Sequence, residues 1–174
     1  MSRRTVVPVL LVLVVAAGIG LAVFQPWKAF TDTTVNEALP TVSAPAQRKD
    51  EAGTKGGAAP TGLAEGRFVS HEHDTSGTAR TVRLADGGQV LRLEHLKTSE
   101  GPDVRVYLST QEADAAKKGL GNGAVALGKL KGNLGNQNYT VPAGTDLSKF
   151  HSAVIWCERF SVSFGAADLA QVTG

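Results

Sequence analysis

The sequence predicts an all-β, sandwich-like domain of short antiparallel strands, preceded by one transmembrane helix and a disordered linker. Three observations carry this reading. An apolar run without a charge occupies residues 6–24. A stretch rich in Thr, Ala, Pro, Gly and Lys follows, reaching to residue 62. From Leu63 to Gly174, short segments alternate polar and apolar with period two, and turn residues bound them. The resulting organisation is a cytoplasmic N-terminus (1–5), a transmembrane helix (6–24), a flexible linker (25–62) and an extracytoplasmic β domain (63–174).

Residues 6–24 read VVPVLLVLVVAAGIGLAVF, and no charge appears between Arg4 and Lys28. About 20 apolar residues span a bilayer core as a helix. Pro8 falls in the first turn, where its missing N–H costs little. Large residues and a proline (Phe24, Gln25, Pro26, Trp27) stand where a signal peptidase would need small ones, so the run reads as an uncleaved signal-anchor. Trp27 suits the membrane–water interface. Arg3 and Arg4 outweigh Lys28, which predicts a cytoplasmic N-terminus, with the C-terminal domain outside the cell membrane. The lipid bilayer is therefore the partner expected for residues 6–24.

Between Phe30 and Leu63 no hydrophobic period is sustained, and Pro40, Pro45, Pro60, Gly53, Gly56 and Gly57 interrupt it. Such composition buries too little apolar area to offset its ordering entropy. A flexible tether is expected, contributing nothing to the core.

In the domain, Val82 and Leu84 precede Asp86-Gly87-Gly88, and Val90 to Leu93 follow, which predicts a hairpin. Val104, Val106 and Leu108 alternate with polar residues. So do Phe160, Val162 and Phe164, and Asn138 to Val141 reads as a further strand. Ser152 to Cys157 is apolar on both faces and should be central. A helical turn or two is expected from Gln111 to Lys118, with Ser109 and Glu112 at capping-box spacing and Gly119 as the stop. The glycine-rich stretch Gly119–Gly135 lacks the GK[ST] ending of a phosphate loop and reads as a long loop with turn chemistry.

Charge excludes one function class. From Leu63 onward 12 Lys/Arg face 12 Asp/Glu, so 12 − 12 = 0, and the basic residues are scattered. Nucleic-acid binding needs clustered positive charge and is not expected.

Cys157 is the sole cysteine, so no internal disulfide can form. It is either a small hydrophobe inside a buried strand or a redox-active thiol, a metal or haem ligand, or an intermolecular bridge. Trp156 and Arg159 flank it, and Arg159 is placed to favour a thiolate if the thiol lies near the surface. His71 and His73 form an H-x-H pair that would share a face on a strand, with Glu72, Asp74, Glu94 and His95 as further oxygen and nitrogen donors. Two histidines do not define a closed site, and solvated surface residues explain them as well. Ser76, in Asp74-Thr75-Ser76-Gly77, reads as a turn residue, and His151 carries no further signal. No nucleophile–base–orienter set emerges, so a classical enzyme is not expected.

The order of motifs says more than any one of them. Gly66-Arg67-Phe68, His73-Asp74-Thr75-Ser76-Gly77-Thr78-Ala79, Leu91-Arg92-Leu93-Glu94 and the run Ser99 to Ser109 (SEGPDVRVYLS) come first. LGKLKGN (residues 127–133), GNQNY (residues 135–139), Ile155-Trp156-Cys157 and FSVSFGAA (residues 160–167) follow. From Leu63 to Leu169 the chain resembles the DM-thirteen domain, also called the electron-transfer DM-thirteen domain; His71 stands outside that pattern, whereas His73 falls within it. The resemblance implies a β-sandwich-like fold with the cysteine as the functional residue. In larger relatives such domains accompany b-type cytochrome membrane domains, which implies a redox role through a bare thiol or a bound prosthetic group of unknown identity. Two functions are thus expected as alternatives. One is a membrane-tethered redox or electron-transfer domain centred on Cys157, with Trp156, Arg159 and His73 in support and an envelope redox partner. The other is a noncatalytic adhesion or ligand-binding module in which Cys157 is structural.

Overall fold

The computed structural model describes residues 3–24, 31–40 and 59–172. The first element is helix α1 (Arg3–Phe24), whose described side chains run from Leu10 to Val23. These are apolar residues and glycines, and the large ones up to Leu21 are exposed, Leu11 by 67 % and Val12 by 66 %. Among the described residues, no helix is long and apolar enough to cross a membrane. The transmembrane expectation for residues 6–24 is therefore not carried by the structure. Trp27 and residues 41–58 lie outside the described residues.

Among the described residues, ten strands form one curled sheet. They are β1 (Thr34–Asn36), β2 (Thr61–Ser70), β3 (Ser76–Arg83), β4 (Gln89–Lys97), β5 (Val104–Ser109), β6 (Val125–Lys129), β7 (Leu134–Thr140), β8 (Ser152–Cys157), β9 (Val162–Asp168) and β10 (Ala170–Gln171). Their order is β1-β7-β4-β3-β2-β9-β8-β5-β6, with β10 beside β2. The all-β expectation is met. The sandwich is replaced by a single curled sheet because β2 pairs with strands of both halves. Its residues up to Arg67 pair with β3, and Phe68 to Ser70 pair with β9, so the two halves stay hydrogen-bonded through one strand. Gly66 sits at this switch, where a Cβ would lie 1.6 Å from the Asp168 carbonyl oxygen.

The predicted hairpin is β3–β4. Leu84 N–H donates to Gly88 O, Asp86 Oδ1 accepts from Gly88 N–H, and Gly87 takes φ +85°, a conformation glycine adopts without strain. Strand β8 is buried along its whole length. Ala153, Ile155 and Cys157 join the main core with Leu91, Leu93, Val106, Leu108 and Phe164. Val154 and Trp156 face the other way, beneath the short helix α2 (Ala113–Ala116), with Ala113, Ala116 and Ala166. Two-sided burial explains its unbroken apolar run.

Several expectations need correction. Residues 25–62 do not behave throughout as a flexible linker. Within them β1 pairs with β7, the one parallel pairing in the sheet, and Thr61 and Gly62 already belong to β2. The glycine-rich stretch 119–135 contains β6, which among the described residues is an edge strand paired with β5 alone, and its half-exposed face hid its period. The capping box does not form: Ser109 Oγ accepts from Gln111 N–H and donates to Leu120 O, and Glu112 makes no side-chain cap. Asp168 Oδ1 instead accepts from Ala113 N–H at 2.6 Å. Phe160 lies in the β8–β9 turn, 49 % exposed, while Val162 and Phe164 face the core as expected.

Candidate functional site

Cys157 ends β8, where Val104 of β5 and Val162 of β9 stand beside it in register. Its exposure is 0 %. The thiol belongs to the main core, so the expected position near the surface is corrected. The chain continues from it into an exposed turn, and Arg159 lies there with its side chain in solvent. Among the described residues, no hydrogen bond or ion pair links Arg159 to Cys157.

Trp156 occupies the opposite face of the strand at 8 % exposure, packed with Val154, Ala166 and the alanines of α2. Tyr107 lies against the same cluster and donates its hydroxyl hydrogen to Glu158 Oε1. Burial, and then that bond to a carboxylate, push the Tyr107 phenol up to about 12.

The H-x-H pair is divided by β9. His71 and His73 follow the end of β2 in a bend, not on a strand, so they share no face. His71 Nδ1 meets Ser163 Oγ at 2.7 Å, and its buried Nε2 has no hydrogen-bond partner among the described residues. Burial, reinforced by the Lys117 charge, holds the His71 imidazole below its ordinary range despite Asp114 and Glu72. His73 instead stacks on Phe164, ring centroids 3.9 Å apart and planes tilted 43°. Phe164 belongs to the same main core as Cys157, so His73 lies against the core that contains the thiol.

Glu94 is engaged elsewhere. Burial alone would raise its carboxyl, but the Arg92 hydrogen bond at 2.7 Å and the Arg80 charge hold it below the usual range. His95 is exposed in the β4 bulge, its N–H donating to Asn136 Oδ1. Among the described residues, no group of three or more His, Cys, Asp and Glu is positioned to hold a metal ion. The main clefts, of about 310 to 720 Å³, are lined by other residues than Cys157. A metal or haem ligated through Cys157 does not fit these surroundings, because the thiol's neighbours are apolar side chains without a second donor.

Sequence reasoning missed a polar cluster around β7, at the end of the sheet where β1 is added. Gln137, 0 % exposed, donates Nε2–H to Gly132 O at 2.6 Å, and its Oε1 accepts from Tyr139 O–H at 2.6 Å. Lys131 N–H donates to the Tyr139 oxygen at 3.1 Å. These buried bonds shape the loop 130–133, which presents Lys131 and Asn133 to residues 32–38. The LGKLKGN and GNQNY motifs were the available signal, and spacing alone assigned them no role.

A domain built on the Gly66-Arg67-Phe68 switch and the Trp156-Cys157 strand has a counterpart among known families. The family model described as electron transfer DM13 matches residues 67–169. This chain belongs to that family. Neither the comparison with curated proteins nor that with solved structures gave a match.

Proposed function

We propose that this protein is a membrane-tethered electron-transfer domain, with Cys157 as its redox group. The family match over residues 67–169, which contains Trp156 and Cys157, is the observation that carries this reading. Full enclosure of the thiol narrows the chemistry. Thiol–disulfide exchange requires a thiolate to reach a partner sulfur, and a residue at 0 % exposure offers no such approach. With that route closed, a redox step at Cys157 is the loss of one electron and the thiol proton to an external one-electron acceptor, with Trp156 on the other face of β8 and Tyr107 between that strand and the surface.

The tether is residues 6–24, with the N-terminus in the cytoplasm and the domain outside. Exposed Leu and Val side chains along Leu10–Val23 support it, since such a surface is costly in water. External protease added to intact cells should remove the domain, and protection until lysis would count against this topology.

The burial of Cys157 also favours a second reading, a noncatalytic binding module with a structural cysteine. A redox titration of the purified full chain beside Cys157→Ala separates the two. A reversible signal that the variant loses while staying folded supports electron transfer at Cys157. Identical, silent responses from both proteins would leave the binding module.

A further inference from the structure

We infer that the β7 edge is a peptide-recognition groove and that residues 32–38 are its ligand, so that the domain is clamped next to helix α1 instead of hanging from a long tether. The segment reads Asp-Thr-Thr-Val-Asn-Glu-Ala and has one large hydrophobe, Val35. Its affinity comes from strand addition and polar contacts, the manner in which extended peptides dock on sheet edges.

The groove reads the segment at both ends. Asn133, 2 % exposed, accepts from Thr33 N–H through Oδ1 at 2.7 Å and donates through Nδ2 to Asp32 Oδ1 at 2.7 Å. Thr33 Oγ1 donates to the Glu100 carboxylate. Thr34, Val35 and Asn36 then run parallel to Leu134, Gly135 and Asn136. At the far end the Glu37 carboxylate accepts from Lys131 Nζ at 2.7 and 2.9 Å and from Asn138 N–H at 2.7 Å. Arg92 Nη1 donates to Glu37 O, and Asn138 Nδ2 donates to Ala38 O.

Two glycines make the close approach possible. A Cβ on Gly132 would lie 2.4 Å from Thr33 O, and one on Gly135 would lie 2.1 Å from Val35 O. Gly135 also has φ +99°, a conformation that side chains other than glycine avoid. The acceptor surface is thus shaped for a second backbone. Its residues 131–133 and 135–138 lie within the family-matched region, whereas the ligand lies outside it.

This docking changes the mechanics of the chain. From Phe24 to Thr31 the connection spans six intervening residues, with a maximum reach of about 25 Å.

The test uses the full chain in detergent, with an N-terminal affinity tag and a specific protease site inserted between residues 46 and 55. Complete cutting is verified on a denaturing gel. The cut C-terminal fragment should stay on the resin with the tagged fragment, and an excess of free peptide covering residues 31–39 should elute it. Glu37→Ala combined with Thr33→Pro should shift most of the fragment into the flow-through. Asn133→Ala, on the acceptor side, should do the same while the fragment remains folded by circular dichroism. Release of the fragment from the cut wild-type protein would overturn the proposal, as would retention that neither the peptide nor the variants reduce.

Discussion

The Glu37 carboxylate and the Lys131 ammonium meet at 2.7 Å across 94 residues of sequence. Asn138 N–H adds a second donor to the same carboxylate, and Lys131 Nζ lies 5.2 Å from the centre of the Tyr139 ring. The pair therefore ties the segment after α1 to a loop whose shape is set by buried Gln137. Both side chains are partly exposed, so the pair itself contributes about 1 kcal/mol or less.

Acid should loosen this contact. Burial alone would raise the Glu37 carboxyl, but Lys131, Asn138 N–H and Arg92 together hold it below the usual carboxylate range. A depressed folded-state value means stabilisation that is complete above about pH 4.5 and lost as pH falls through the folded value. The protection of the Asn138 amide, the exchange rate of an unstructured amide at the same pH relative to its own, should fall over that acidic window in the wild type. Glu37→Gln should show lower protection at neutral pH, and that protection should lose most of its pH dependence.

His71 should give the domain a second pH dependence, nearer neutrality. Its imidazole is held below 6.5 by burial and by Lys117, so the unfolded chain binds the proton more readily. The stabilisation is present above about pH 6.5 and is lost as pH falls towards the folded value. Denaturation midpoints at pH 7.5 and 5.5 should differ in the wild type. The difference should shrink in His71→Gln, which cannot titrate.

Cys157 should resist a bulky thiol reagent until denaturant is added, because its exposure is 0 %. Cys157→Ser should cost about 1–3 kcal/mol by placing a hydroxyl among Val104, Ile155, Val162 and Phe164. Rapid stoichiometric labelling of the native protein would show that the core opens around this residue.

Gly66→Ala should be among the most damaging single substitutions in the domain. The added Cβ would fall 1.6 Å from Asp168 O, and backbone must move to relieve it. A loss of more than about 2 kcal/mol in denaturant unfolding is expected. Gly87→Ala meets no atom within 4 Å and should cost less, through the strain of φ +85° alone.

Sequence by itself determined what local pattern can encode. The alternation Val104-Val106-Leu108, the Asp86-Gly87-Gly88 turn and the two-sided run Ala153–Cys157 each state an element and its buried face, because side chains on a strand alternate. The ordered motifs from Gly66 to Ala167 determined the family. Tertiary structure alone decided how those elements combine. That β2 would bridge β3 and β9 depends on the close approach of Gly66 to Asp168, a contact between residues about 100 apart in sequence. His71 and His73 part because the β2–β3 bend straddles β9, which no H-x-H spacing encodes. Residues 32–38 are the sharpest case: their composition is that of a linker, and they are ordered because Asn133, Lys131 and the β7 backbone supply main-chain and charged partners from far along the chain. Hydrophobic periodicity records burial of apolar side chains, and a strand held by its backbone leaves almost none to record.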